Sequence, residues 1–376
     1  MRAPLPPCAP GFGIEEEFLL VDQTSRDVCA EPPRELIEAL RQAFGPCLAE
    51  EMFRSQIELV TPVLHDLGAA RDCLLQSRRR LTELAAGFGL APYGAASHPF
   101  ADWRRQLATD SPHYRRLFGD YRDVAQRSLV SGLHVHVGVA PEIDRVKVMN
   151  RVLPWLPLLL ALSASSPFWE GRRTGLLSYR RTLCGEWPRM CIPEPLADAA
   201  ALAGYVERLT ACGAIRKAGD LWWFIRPSAR FPTLELRIAD ACPRVDDVLC
   251  IAGLFRGLVA WASGTGDTPA DGAGRIWLEE NYWRARRLGC AARFLGADGE
   301  ELAAGDWLER LGERIGPWRD EAAFEQARRI LRDGSSGERQ LAHYEQAIGA
   351  GLDPRQALAD VVDQVLKETS AACDPP

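Results

Sequence analysis

One stretch limits what this chain can fold into more than any other: Gly11-Phe-Gly-Ile-Glu15-Glu16-Glu17-Phe18-Leu19-Leu20-Val21. It is rich in strand-forming residues, yet it carries three consecutive glutamates. Side chains on a strand alternate faces, so Glu15 and Glu17 share one face while Ile14, Phe18 and Leu20 share the other. Like charges on one face repel and depress β propensity. For this segment alone a solvated outer face is a sufficient explanation. Glu16, which falls on the apolar side, breaks the alternation.

The same design recurs. Glu50-Glu51-Met-Phe-Arg-Ser-Gln56-Ile57-Glu58-Leu59-Val60-Thr61-Pro62 reads as a strand stopped by proline, with Gln56 and Glu58 facing away from Ile57 and Leu59. Residues 131–139 set Leu133, Val135, Val137 and Val139 against His134 and His136. Residues 221–226 and 233–240 read as a hairpin, with Glu235 and Arg237 opposite Leu234, Leu236 and Ile238. A sheet that packs helices on one face would gather these polar residues on its second face. Converging carboxylates repel one another unless cations separate them. Hard oxygen donors with an imidazole suit Mg²⁺ or Mn²⁺. Each pair alone is more often an exposed face. Their joint occurrence beside an arginine points to a metal–phosphate site.

Between these strands the periodicity predicts helices over 34–44, 67–88, 142–163, 196–212 and 245–262, then an almost wholly helical tail from 275. Short strands are expected at 28–30 and 90–95, and a flexible loop at 264–274. The run Arg78-Arg79-Arg80 reads as a solvated helix face, and His65, His98 and His113 as loop or surface histidines. Strands and helices do not alternate as βαβ units, and there is no G-x-G-x-x-G. No linker or repeat divides the chain. The expectation is one α+β domain over 1–376, with a largely antiparallel sheet and the metal site in 11–262 and a helical part at 275–370.

Composition narrows the function. The net charge of −6 argues against a general nucleic-acid binder. Lysine occurs only at 147, 217 and 367, and never in a P-loop, so phosphate handling must rest on arginine, backbone N–H groups or metal ions. The eleven cysteines show no C-x2-C pair and read as free thiols of a reducing compartment. The N-terminus has no signal-peptide pattern, and the apolar run 152–164 is too short to span a bilayer and contains prolines. A cytoplasmic protein with no membrane partner is expected.

Taken in order, Gly13-Ile14-Glu15-x-Glu17, Gln56-Ile57-Glu58-Leu-Val-Thr61-Pro62, Ser131-Gly132-Leu133-His134-Val-His136 and Leu234-Glu235-Leu-Arg237 resemble the signature segments of glutamate–cysteine ligases. The nearest likeness is to the bacterial carboxylate–amine ligases, the YbdK-like or type 2 group. Glu280-Asn281-Tyr-Trp283-Arg284-Ala-Arg286-Arg287-Leu-Gly289 and Gly337-Glu-Arg-Gln340 extend it along nearly the whole chain. The resemblance implies a glutamine-synthetase-like fold, a curved antiparallel sheet forming a funnel with helices outside. It implies an ATP-dependent ligase that makes an acyl phosphate of a carboxylate such as glutamate and joins it to an amine. By the same motifs, Glu15, Glu17, Glu58, His134 and Glu235 resemble ligands of two or three Mg²⁺ ions (Mn²⁺ being the alternative), and Glu51 a further acidic position. Arg237 is similar to the arginine that meets the transferred phosphate, and with Glu58 it forms the implied catalytic pair. His136, Asn281 and Arg284 are implied at the nucleotide end; Arg180, Arg181 and Gln56 at the acid-substrate end. Cys191 stands where the resemblance leads one to expect glycine. A homo-oligomer, such as a dimer, acting on small molecules is implied. The alternatives are a guanidino-kinase-like phosphotransferase, a zinc hydrolase built on His134 and His136, and a non-catalytic binding protein.

Overall fold

A computed structural model describes residues 9–264, 274–296 and 298–371 of the chain. The glutamate-bearing strand forms as β1 (Phe12–Asp22). It is followed by α1 (Arg34–Phe44), β2 (Leu48–Glu50), β3 (Gln56–Val60), α2 (Leu67–Ala86) and β4 (Leu90–Tyr93). Then come α3 (Pro112–Tyr121), α4 (Asp123–Gln126), β5 (Leu133–Gly138), α5 (Arg145–Val152) and α6 (Leu156–Ser163). A small hairpin, β6 (Phe168–Trp169) and β7 (Arg172–Arg173), precedes α7 (Arg180–Cys184), α8 (Ala199–Ala211), β8 (Ile225–Pro227), β9 (Thr233–Leu236) and α9 (Val245–Gly264). The tail is α10 (Arg275–Leu288), the hairpin β10 (Arg293–Leu295) and β11 (Glu301–Ala303), then α11 (Ala304–Ile315), α12 (Glu321–Asp333), α13 (Ser336–Gly349) and α14 (Pro354–Ser370).

The main sheet is open and antiparallel in every pairing, in the order β2-β3-β1-β5-β9-β8, with β4 paired to residues 19–22 of β1. Strand β1 is its spine, because three other strands pair along its length. Phe12, Ile14, Val135, Val137, Leu234 and Leu236 bury one face against α5, α6 and α9. Toward the other end of β1, Phe18 and Leu20 join Ile57 and Leu59 and meet Leu36 and Leu40 of α1 and Leu81 and Ala85 of α2. Side chains of period two thus meet helical stripes on one side of the sheet, which leaves the second side near Glu15 and Glu17 for polar groups. Farther along β1, Leu19 and Val21 bury that side in a separate cluster with Phe53, Tyr93 and Leu358 and Val361 of α14.

Glu16 is explained by its partner. Arg78 of α2 is buried and donates to Glu16 at 2.5 Å through Nη2, and the same nitrogen reaches the Cys242 carbonyl at 2.8 Å. Only Arg79 and Arg80 of the expected solvated run are exposed. Arg78 lies in line with Leu74, Leu81 and Ala85, so its inward phase was set by the helix period.

Other expectations need correction. Residues 28–30 form no strand, only an isolated bridge between Val21 and Val28. The expected helix at 142–163 is broken at Pro154 by a 3₁₀ turn over Leu153–Trp155, as a proline that lacks an N–H requires. That stretch, Arg145–Ser163, is long and apolar enough to cross a membrane by length and composition, but 83% of its most apolar window is buried in the protein. His98 is not a surface histidine; it is fully buried. Most of the expected loop at 264–274 lies outside the described residues. The hairpin of β10 and β11 was not expected. Every cysteine among the described residues is free.

Candidate active site

Strand register builds the site. Glu17 of β1 pairs with Glu58 of β3, and Glu15 with His134 of β5. His136 pairs with Gly13 on one side and with Glu235 of β9 on the other, and Glu235 pairs with Arg226 of β8. Directly opposite residues on antiparallel strands hold their Cβ atoms about 4.5–5.5 Å apart, so alternation and register together bring these side chains into contact.

Two groups of potential metal ligands result. Glu15, His136 and Glu235 each place a donor atom within 4.8 Å of the others, and so do Glu17, Glu51 and Glu58. Glu51 comes from the turn between β2 and β3. Glu15 sits between the two histidines: His134 Nδ1 is 3.2 Å from Oε2, and His136 Nε2 is 3.2 Å from Oε1. His134 Nε2 faces Glu17 Oε1 at 3.6 Å. Glu235 is gripped at both oxygens by Arg226, at 2.8 and 3.2 Å, and is also contacted by Arg237.

The electrostatics of the two groups differ. Burial works against ionisation of Glu15, but its hydrogen bonds to His134 and His136 hold the carboxyl well below the usual range. Burial also opposes the Glu235 charge, and Arg237 and Arg226 outweigh it, leaving Glu235 at about 2. Burial and then the Arg237 charge push His134 down, toward the neutral ring. In the other group burial outweighs His134 and Arg180, which favour the Glu17 charge. Burial and the Glu51 charge raise Glu17, and burial followed by the charges of Glu51, Glu15 and Glu17 pushes Glu58 well above the ordinary carboxylate range.

This donor set fits a divalent cation. Three carboxylates converge with too little protein cation charge to offset burial of Glu17 and Glu58. A neutral His134 that donates through Nδ1 to Glu15 turns an unprotonated Nε2 toward Glu17. A hard, oxygen-seeking ion resolves both features. Glu17, Glu51 and Glu58, with His134 beside them, would form the readier seat. In the second group Glu235 already spends lone pairs on two arginines.

Beside the carboxylates lies a cavity of about 200 Å³, whose polar lining includes Glu17, Glu51, His134, Arg180, Arg181 and Arg237. Met52, Leu117, Trp187, Met190 and Trp222 supply apolar lining. Arg181 is buried, its guanidinium 4.0 Å from the centre of the Phe224 ring, and its Nη2 has no hydrogen-bond partner among the described residues. Gln56 also lines the cavity, but its amide is spent on the Val130 carbonyl at 2.9 Å and the Phe53 N–H at 3.2 Å. Cys191 does not adopt the left-handed backbone that would call for glycine, although Arg189 two residues earlier does.

Two expected residues are not brought to this group. Asn281 is buried and clamps Leu295 of β10, donating to its carbonyl at 2.8 Å and accepting its N–H at 2.7 Å. Arg284 bonds Glu280 at 2.7 Å and the Arg293 carbonyl at 3.0 Å, on the side of α10 facing the β10–β11 hairpin. The residue of that motif that does reach the site is Tyr282, whose hydroxyl accepts from Arg181 Nε at 3.2 Å. Arg226 was missed as well. Its signal was the hairpin, whose register sets it opposite Glu235.

The profile of glutamate–cysteine ligase family 2 matches residues 11–360. The chain belongs to that family. Relatives provisionally named glutamate–cysteine ligase 2 agree: one from Pseudomonas paraeruginosa is 50% identical over 365 residues, spanning 96% of each chain, and one from Ectopseudomonas mendocina is 49% identical over 371 residues, spanning 95% of this chain and 96% of its own. Among solved structures, a glutamate–cysteine ligase from Francisella tularensis in complex with AMP superposes with a TM-score of 0.70 at 12% identity, over 98% of this chain and 93% of that one. A bifunctional glutathione synthetase from Pasteurella multocida gives 0.69 at 18% identity, over 96% of this chain and 53% of that one. The fold is therefore the glutamate–cysteine ligase fold expected from the sequence, and the enzyme is a ligase that forms C–N bonds.

Proposed function

We propose that this ligase uses ATP to activate a carboxylate, glutamate being the first candidate, as an acyl phosphate, and then joins it to an amine with release of ADP and phosphate. The observation that carries the reading is the meeting, in one cavity, of Glu17 and Glu51, from a carboxylate group that could hold a metal ion, with three arginines, Arg180, Arg181 and Arg237. The F. tularensis relative in fold was solved with AMP, which supports a nucleotide as co-substrate.

Glu17, Glu51, Glu58 and His134 would hold one Mg²⁺ or Mn²⁺, and Glu15, His136 and Glu235 another. When bound, such ions neutralise polyphosphate charge and align the γ-phosphoryl group for in-line transfer. Arg237, kept in place by Glu235, offers forked donors to charge on the phosphoryl group as it moves. Arg181, with a free buried nitrogen, and Arg180 receive a carboxylate of the acid substrate. The apolar wall of Trp187, Trp222 and Met52 keeps water from the acyl phosphate, so that the amine is the nucleophile that reaches it. Phosphate then leaves as the amide bond forms.

The test is ADP release from Mg-ATP with glutamate, with and without an amine panel that includes cysteine and hydroxylamine. Release that requires both acid and amine, and is lost in Glu58→Gln, is the expected result. ATP hydrolysis indifferent to acid and amine would refute the reading.

A further inference from the structure

Asp240, four residues beyond β9, has no solvent exposure and belongs to neither metal-ligand group. Its Oδ2 accepts from the Ser165 N–H at 3.1 Å and the Ser166 hydroxyl at 2.8 Å, and its Oδ1 accepts from the Ser178 hydroxyl at 2.9 Å. Arg180 lies against it, with Nη1 at 3.7 Å from Oδ1 and donating to the Ala239 carbonyl at 3.0 Å. The Ser166 hydroxyl that donates to Asp240 also accepts from the Arg180 backbone N–H at 3.0 Å. Asp240 therefore ties down both ends of Arg180, the main chain through Ser166 and the guanidinium directly.

The other side of the guanidinium rests on Gly132. A Cβ there would overlap Nη2 and fall 2.8 Å from Cζ, so this approach requires glycine. The Gly132 N–H in turn donates to Glu17 Oε2 at 2.6 Å. Arg180 is thus clamped between Asp240 behind and Gly132 beside Glu17 in front, at the wall of the cavity, with its Nε free of partners among the described residues. A buried arginine needs a counter-charge, and that need alone would explain the pair. It does not explain why Arg180 is placed to line the cavity, nor why the loop beside β5 gives up a side chain at Gly132 to admit the guanidinium.

We propose that Asp240 is a positioning residue that acts through Arg180. With Gly132 it fixes the guanidinium at the angle that receives a carboxylate of the acid substrate. The identity of that ligand rests on the ligase reading, so the test reads binding rather than turnover.

Trp187 and Trp222 line the cavity and serve as intrinsic reporters. L-Glutamate is titrated into the wild type, Asp240→Asn and Gly132→Ala by tryptophan fluorescence, with Mg-ATP titrated as a control. ADP release with glutamate and hydroxylamine is measured in parallel. Asp240→Asn, which keeps the shape but removes the charge, is expected to weaken glutamate binding by about tenfold or more and Mg-ATP binding by less than about twofold. Gly132→Ala displaces the same guanidinium and reproduces the effect, and the double variant is no weaker than the weaker single one. Ser178→Ala removes one bond to Asp240 but leaves its charge. It weakens glutamate by about two- to threefold, and so keeps the test open should Asp240→Asn fold poorly. Unchanged glutamate affinity in these variants, or equal loss of glutamate and Mg-ATP, overturns the proposal. So does a wild type that gives no saturable glutamate response. A wild type that binds glutamate with the expected variant pattern but releases no ADP refutes the ligase reading and leaves the role of Asp240 standing.

Discussion

Glu17 and Glu58 stand directly opposite each other on β1 and β3, and burial together with the Glu51 charge drives both toward protonation. The fold brings these carboxylates together against their mutual repulsion, as it would where a cation is held between them. Magnesium should therefore stabilise the protein without any nucleotide. At about a hundred times its dissociation constant the expected gain is about 2.7 kcal/mol. Thermal unfolding with MgCl₂, MnCl₂ or EDTA measures it, and a melting temperature indifferent to all three would remove the basis for a metal seat.

Glu58→Gln separates the two costs. It relieves part of the repulsion, so the metal-free variant should melt no lower than the metal-free wild type, while the magnesium shift disappears. ADP release should fall by about 10²–10³-fold, the scale of losing a group that organises the transition state. A variant that retains both the shift and the activity would show that Glu58 is not a ligand.

Tyr282 and Asn281 are neighbours with opposite fates, and their variants should diverge. Tyr282→Phe deprives Arg181 Nε of its acceptor and should raise KM for the acid by about tenfold, with a modest change in stability. Asn281→Ala frees Leu295 from its clamp and should lower the melting temperature without a selective change in that KM. Steady-state kinetics and unfolding curves on both variants decide between them.

The buried pair of Glu16 and Arg78 makes a stability prediction. Arg78→Ala leaves the Glu16 carboxyl buried without its partner, at a cost of about 3–5 kcal/mol. Combining it with Glu16→Leu should recover part of that loss but not all, because Arg78 also satisfies the Cys242 carbonyl. Urea midpoints for the two single variants and the double variant measure the coupling. Additive losses would mean that the pair is not coupled.

His98 should shape the acid limb of stability. The Arg26 carbonyl 2.8 Å from Nε2 can only accept, so Nε2 carries the proton, while Nδ1 accepts the Ala101 N–H at 3.0 Å. Burial lowers His98 to about 3, against the opposing pull of the Arg26 bond, from about 6.5 in the unfolded chain. Between those values the unfolded state binds the extra proton. The His98 contribution is therefore complete above about pH 6.5 and is lost as pH falls toward 3, by up to about 1.4 kcal/mol per unit. His98→Gln should flatten the decline of urea stability between about pH 6.5 and 4.5, and parallel declines would rule out this histidine as the source.

The polar face of the sheet was legible because alternation is a local property: Glu15 with Glu17, His134 with His136, and Glu235 with Arg237 can be paired by counting in twos. Register is not local. That Glu17 meets Glu58, or that Arg226 reaches across to Glu235, depends on how strands from distant parts of the chain align. Helical phase was readable where the apolar stripe is dense, and Arg78 could have been found by noticing that it fills the gap between Leu74 and Leu81. In α10 the phase was harder to read. Asn281 and Tyr282 are adjacent and both polar, and only packing against Phe224 on one side and Leu295 on the other tells them apart. His98 lies in a loop as expected, but its burial was not legible because a buried histidine satisfied by backbone groups leaves no mark in composition.

The Gly337–Gln340 motif never touches the cavity. Gly337 donates to the Ala164 carbonyl at 2.7 Å, and Gln340 donates to the Ser165 carbonyl at 3.0 Å, so α13 braces the serines that secure Asp240 and Arg180. The acidic half of the site is carried by β1, while the arginine beside it depends for its lock on α13, a helix far removed in the chain. A change that loosens α13 therefore reaches the arginine wall of the cavity without altering any side chain that lines it.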